Sequence, residues 1–159
     1  IALDRRKRDV VLGRGAIQTT PVILAEPQAF MNRSGPPVQQ LANYYRILCG
    51  EVLVIHDDID LTFGRLKIKE KGGHGGHNGV RSLIDALGGG DFVRLRVGIG
   101  RSEERSRVVD HVLGRFDARE QELLPDVITR ARDAVVTILC EGTKQGMNQF
   151  NNPSVMNSR

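Results

Sequence analysis

Five glycines fall within eight residues in Gly72-Gly73-His74-Gly75-Gly76-His77-Asn78-Gly79, and the run leads straight into Val80, Leu83, Ile84 and Leu87. A backbone stripped of side chains in this way either turns at positive φ or lets something approach closely. The apolar residues that follow are spaced as one face of a helix. The run thus lies where a helix start presents free N–H groups and a positive dipole end, which makes an anion site. His74, His77 and Asn78 add groups that donate or accept hydrogen bonds. The competing reading is a Gly-rich connector with incidental histidines, but a flexible linker rarely carries His-x-x-His-Asn.

Around this run the chain reads as one α/β domain over residues 1–159, with a mixed, twisted β-sheet flanked by helices. Its 40% hydrophobic and 26% charged residues are ordinary for a globular protein. No apolar run approaches the roughly 20 residues of a membrane span, and no signal peptide is visible. Cys49 and Cys140 stand in no metal-ligand spacing and read as reduced thiols of a cytoplasmic protein. Ile1-Ala2-Leu3-Asp4 lacks an initiator Met and reads as the tail of an element, as in an N-terminally truncated chain.

Val10–Ile17 and Pro21–Ala25 are expected as a hairpin around Gln18-Thr19-Thr20. Ser34-Gly35-Pro36-Pro37 breaks the chain before a helix with Val38, Leu41, Ala42, Tyr45 and Leu48 on one face. Val52–Ile55 reads as a strand buried on both faces, with His56-Asp57-Asp58 following it. Arg65–Glu70 alternates as a half-exposed strand, and in 93–99 Arg94 and Arg96 lie opposite the apolar set. A long amphipathic helix carries Val127, Ile128, Ala131, Ala134, Val135, Ile138 and Leu139, with Pro125 expected in its first turn. The Asn-rich tail from Asn148 is expected to fray.

Three segments can carry chemistry. Ligands of open α/β sheets gather beyond the carboxyl ends of strands, where His56-Asp57-Asp58 is expected. A carboxylate there can hold an imidazole in one tautomer and leave its other nitrogen as general base, although a solvated acidic turn has the same composition. Phe30-Met31-Asn32 offers an apolar pair beside a carboxamide that can orient a carbonyl or a water, with core filling as the competing role of Phe30 and Met31. His56, His74 and His77 with the acids could bind a divalent metal, but no specific metal spacing is present. No Gly-x-Ser-x-Gly elbow or phosphate-loop pattern occurs.

The net charge of +4 and a pI of about 9.4 lean toward a polyanionic partner. Arg5-Arg6-Lys7-Arg8 forms one cluster, and Arg65, Lys67, Lys69 and Lys71 recur at two-residue spacing. Lysines on one side of a strand suit phosphates, while a charged edge that deters aggregation is the alternative. With 4% aromatics and no Trp, backbone and shape recognition of structured RNA fits better than base stacking.

Four segments in order, Phe30–Gly35, Val54–Leu61, Gly72–Gly79 and Arg94–Arg101, closely resemble bacterial peptidyl-tRNA hydrolase, with similarity from about residue 9 to about residue 150. The resemblance implies a monomeric, metal-free and cofactor-free α/β hydrolase that cleaves the ester between a peptide and the 3′ ribose of tRNA. It implies that Asp57 holds the catalytic histidine, and that Asn32 and Asn78 contact the peptidyl substrate and help place the water. Phe30, Met31 and His77 would line the peptide or 3′-end groove, and Lys67, Lys69 and Arg96 would grip tRNA phosphates. The family's opening strand, its Gly-x-x-Asn-Pro-Gly loop and the histidine base have no counterpart in residues 1–159, so catalytic impairment is expected. A non-catalytic RNA-binding homologue of the same fold is the alternative. Glu26 stands where a basic residue is usual and Ala29 where Thr is common.

Overall fold

The computed structural model describes residues 1–101 and 115–152. The protein is α/β, and its chain divides into two compact units, Ile1–Leu53 with Glu70–Val93, and Val54–Lys69 with Arg94–Arg159. Among the described residues, two sheets of three strands each take the place of one mixed sheet.

In the first unit, strands β1 (Arg5–Lys7), β2 (Val10–Ile17) and β3 (Thr20–Pro27) form an antiparallel sheet in the order β1-β2-β3. The expected hairpin forms, with the turn tightened to Gln18-Thr19 because Ile17 pairs directly with Thr20. Helix α1 (Gly35–Tyr44) lays Leu41 on Val10 and Leu12, and Ile23 and Tyr45 complete the cluster. The helix ends before Leu48, which is exposed rather than on its buried face: Arg46 turns to a φ of 55° and stops the helical path. Helix α2 (Asn78–Leu87) buries Val80 and Leu83 and ends on Gly88 in the left-handed region.

In the second unit, strands β4 (Leu53–Asp58, its first residue from the other unit), β5 (Leu66–Lys69) and β6 (Val93–Gly98, likewise) are ordered β4-β6-β5. β5 and β6 are antiparallel, with Lys67 opposite Arg96 and Lys69 opposite Arg94. β4 runs through His56-Asp57-Asp58, so these residues belong to the strand and not to a turn after it. Its pairing continues to the N–H of Ile99, which donates to the Asp58 carbonyl at 2.9 Å. Nor is the strand buried on both faces, since it is an edge of its sheet and Ile55 is 54% exposed. Arg94 departs in the other direction: it is 2% exposed, not on an open face.

Helix α3 (Ala118–Glu141) starts earlier than its apolar stripe. The Asp117 carboxylate accepts from the Glu120 N–H and Glu120 Oε1 from the Asp117 N–H, a capping box that sets the first turn. Pro125 therefore lies inside the helix, where it removes one backbone bond that capping and the burial of Val127, Ala134 and Ile138 offset. Ile128 is exposed.

Helix α4 (Thr143–Phe150) includes Asn148, so the tail is ordered this far. Asn151 Oδ1 accepts from the Ile68 N–H at 2.7 Å and its Nδ2 donates to the Ile68 carbonyl at 3.0 Å. The carboxamide occupies backbone groups that β5, as an edge strand, would leave unpaired. Asn151→Leu is expected to cost about 1–2 kcal/mol, read as a lower urea midpoint. An unchanged midpoint would mean that water replaces the amide without loss.

Candidate functional site

The glycine run resolves into distinct local requirements. Gly75 and Gly76 have φ of 57° and 85°, the left-handed region that a side chain disfavours. Gly79 answers a steric demand instead, because a Cβ there would lie 2.5 Å from Met31 Sδ and 3.1 Å from His77 Cε1. Gly73 meets neither condition.

The histidines of the run serve its backbone. His77 is the N-cap of α2, and its Nδ1 accepts from the N–H groups of Gly79 at 3.1 Å and Val80 at 3.2 Å. His74 Nδ1 accepts from the Gly76 N–H at 2.9 Å. This corrects the expectation of a free anion site at the helix start, since a side chain of the same run takes two of its N–H groups. Histidine is not among the favoured caps, so the usual N-cap rule does not flag it.

Phe30, Met31 and Asn32 lie on a short 3-10 turn that packs against α2. Ser34 Oγ donates to the Met31 carbonyl at 2.8 Å, and the Gly35 N–H donates to Ser82 Oγ of α2 at 2.9 Å. A Cβ on Gly35 would run into the Ser82 carbonyl, so the helices meet backbone to backbone. The core-filler alternative for Phe30 and Met31 is set aside: they are 81% and 57% exposed. Asn32 and Asn78 are exposed, and their carboxamides make no hydrogen bond among the described residues. The first unit thus brings together Phe30, Met31, Asn32, His77 and Asn78.

Asp57, Lys67, Lys69 and Arg96 belong to the second unit. Asp57 is half-buried on β4, and its main-chain carbonyl accepts from His56 Nδ1–H at 2.8 Å. On β5, Leu66 and Ile68 are buried while Lys67 and Lys69 alternate outward, the basic face the spacing predicts. Arg96 Nε donates to Asp58 Oδ2 at 2.6 Å, with side chains 20% and 11% exposed, so part of its charge is already committed. Sequence reading missed this pair, because nothing in the spacing of residues 58 and 96 places them on adjacent strands. Among the described residues no three His, Cys, Asp or Glu side chains converge as a metal site. His111 lies outside the described residues.

Burial pushes the Asp58 carboxyl up, but the Arg96 hydrogen bond, the Asp60 N–H and the charges of Arg96 and His56 outweigh it. The carboxyl is held below its ordinary value of 3.8. A carboxylate depressed in the folded state adds stability above its unfolded pKa, and that stability is lost as pH falls through the folded value. Asp58→Asn is therefore expected to lower stability by about 1–3 kcal/mol at neutral pH, with the gap closing below about pH 4. Urea unfolding across pH checks this, and a gap undiminished in acid would refute it.

The model of the peptidyl-tRNA hydrolase family matches residues 1–158. The chain belongs to this family. A peptidyl-tRNA hydrolase of Clostridium perfringens is 41% identical over 155 residues, spanning 98% of this chain and 81% of that protein. One from Chloroflexus aurantiacus is 48% identical over 141 residues, covering 88% of this chain and 75% of its own. The crystal structure of peptidyl-tRNA hydrolase from Acinetobacter baumannii superimposes with a TM-score of 0.80 at 38% identity, over 90% of this chain and 72% of that one. Family membership makes the protein a hydrolase associated with translation. Among the described residues no helix is long and apolar enough to cross a membrane.

Proposed function

We propose that the protein hydrolyses the ester between a peptide and the 3′ ribose of tRNA, acting as a cytoplasmic monomer of one hydrolase domain, without metal or cofactor. The observation that carries this reading is the pair of exposed carboxamides of Asn32 and Asn78, unbonded among the described residues and held on a turn and a capped helix start that pack together. A carboxamide donates and accepts at once, so one can polarise the ester carbonyl while the other directs a water. The water adds to the carbonyl carbon as a base removes its proton. The tetrahedral intermediate then collapses, and the 3′ oxygen leaves with a proton. Asp57 is assigned to hold the histidine that serves as this base, and His77 fixes Asn78 by capping α2. Exposed Phe30 and Met31 are assigned to the apolar part of the peptide or to the terminal base.

Lys67 and Lys69 are assigned to tRNA phosphates, with Arg96 a lesser contributor because Asp58 shares its charge. Each phosphate contact steepens the fall of affinity with salt. Lys67→Ala and Lys69→Ala are each expected to reduce the salt slope of tRNA binding by about one, and Arg96→Ala by less. Equal slopes in parent and lysine variants would remove the assignment. Hydrolysis of peptidyl-tRNA, followed by release of free tRNA, tests the reaction itself. Binding of tRNA with no turnover under any condition would replace it with the RNA-binding homologue.

A further inference from the structure

The lysine row of β5 accounts for one basic cluster, and the other lies in the first unit. Arg5, Arg6, Lys7 and Arg8 are all exposed on the edge strand β1 and its turn. Lys7 pairs with Val10 and Arg5 with Leu12, so both cations share the sheet face that α1 covers and stand at its rim. Lys7 Nζ sits 4.1 Å from the ring centroid of Tyr44, which is 69% exposed, and Arg14 Cζ sits 5.0 Å from that of Tyr45. The two tyrosines meet edge to face at 4.9 Å. None of the five cations makes an ion pair among the described residues, in contrast to Arg96 and Arg101.

Two structural roles explain only part of this arrangement. A charged edge strand discourages pairing with another chain, but a three-residue strand is already a poor template. Cations near the last turn of α1 complement its dipole, which accounts for Lys7 and Arg14 and leaves Arg5, Arg6 and Arg8. What remains is an exposed set of cations along β1 and its turn, Arg5 on the face of Lys7 and Arg6 on the other, beside Lys7 and Arg14, which aromatic rings hold against the loss of side-chain freedom. Same-face residues of a strand recur roughly every 7 Å, which lets Arg5 and Lys7 reach neighbouring phosphates of one strand. Anionic lipid attracts such cations too, and RNA is the polyanion that the substrate reading supplies.

We infer that the β1–β2 edge with Tyr44 is a second contact surface for the phosphodiester backbone of RNA, independent of the lysine row on β5. It rests on the reading of tRNA as the substrate-bearing partner. It binds charge and not sequence, so its contribution is to affinity and its dependence on salt.

The test is the affinity of deacylated tRNA measured from about 50 to 200 mM salt. A variant with Arg5→Gln, Arg6→Gln, Lys7→Gln and Arg8→Gln is expected to lose about two or more from the salt slope and at least about tenfold in low-salt affinity. Replacing the three arginines by lysine instead is expected to keep both, which separates charge from any effect on folding. The losses should add to those of Lys67→Ala. A glutamine variant with the parental slope, while Lys67→Ala still lowers it, overturns this inference and leaves the substrate reading standing. Absence of salt-dependent tRNA binding by the parent overturns both. Retention of tRNA affinity with loss of binding to anionic lipid vesicles would reassign the surface to membranes and also overturn it.

Discussion

A polypeptide of residues 1–159 alone is expected to hydrolyse peptidyl-tRNA about 10²–10⁴-fold more slowly than a relative carrying a positioned histidine base. The reason lies in what its histidines already do. His74 and His77 turn Nδ1 toward backbone N–H groups, and His56 gives its Nδ1–H to a main-chain carbonyl of its own strand. These three are engaged with backbone groups, and His111 lies outside the described residues. The remaining residues still bind and orient, so the deficit should lie in kcat and leave tRNA affinity in place. Exogenous imidazole should raise the rate of this polypeptide and leave that of the relative unchanged. Turnover matching that of the relative, by a sample of the mass of residues 1–159, would place the base within them.

Asn78→Ala and Asn32→Ala are each expected to lower the imidazole-assisted rate by about 10²–10³-fold, or roughly 3–4 kcal/mol of transition-state stabilisation. Both carboxamides are exposed and make no hydrogen bond among the described residues, so their removal orphans none of these and should not lower the melting temperature. That separates a role in the reaction from a role in folding. His77→Ala acts on the same helix start by a different route: it leaves the Gly79 and Val80 N–H groups without their cap and costs about 1 kcal/mol of stability. Asn78→Ala with full activity would withdraw the carboxamide from the mechanism.

Much of the site was legible because its residue types are costly to explain otherwise. Glycine at consecutive positions announces unusual backbone, and Gly75, Gly76 and Gly79 each meet a need that a side chain would obstruct. Strict alternation placed Lys67 and Lys69 outward over buried Leu66 and Ile68. Composition could not decide between a core and a site role for Phe30 and Met31. An apolar side chain is favoured inside by the area it removes from water, and that area depends on what the fold packs around it.

Local order in the chain therefore determined most of the elements and the family to which the protein belongs. Tertiary structure alone decided the partners. It gave Arg96 to Asp58 and Asn151 to the edge of β5, and it buried Arg94. Periodicity is a property of one segment, set by the geometry of a helix or strand. A hydrogen bond or ion pair between residues tens of positions apart depends on register and strand order, which no single segment encodes.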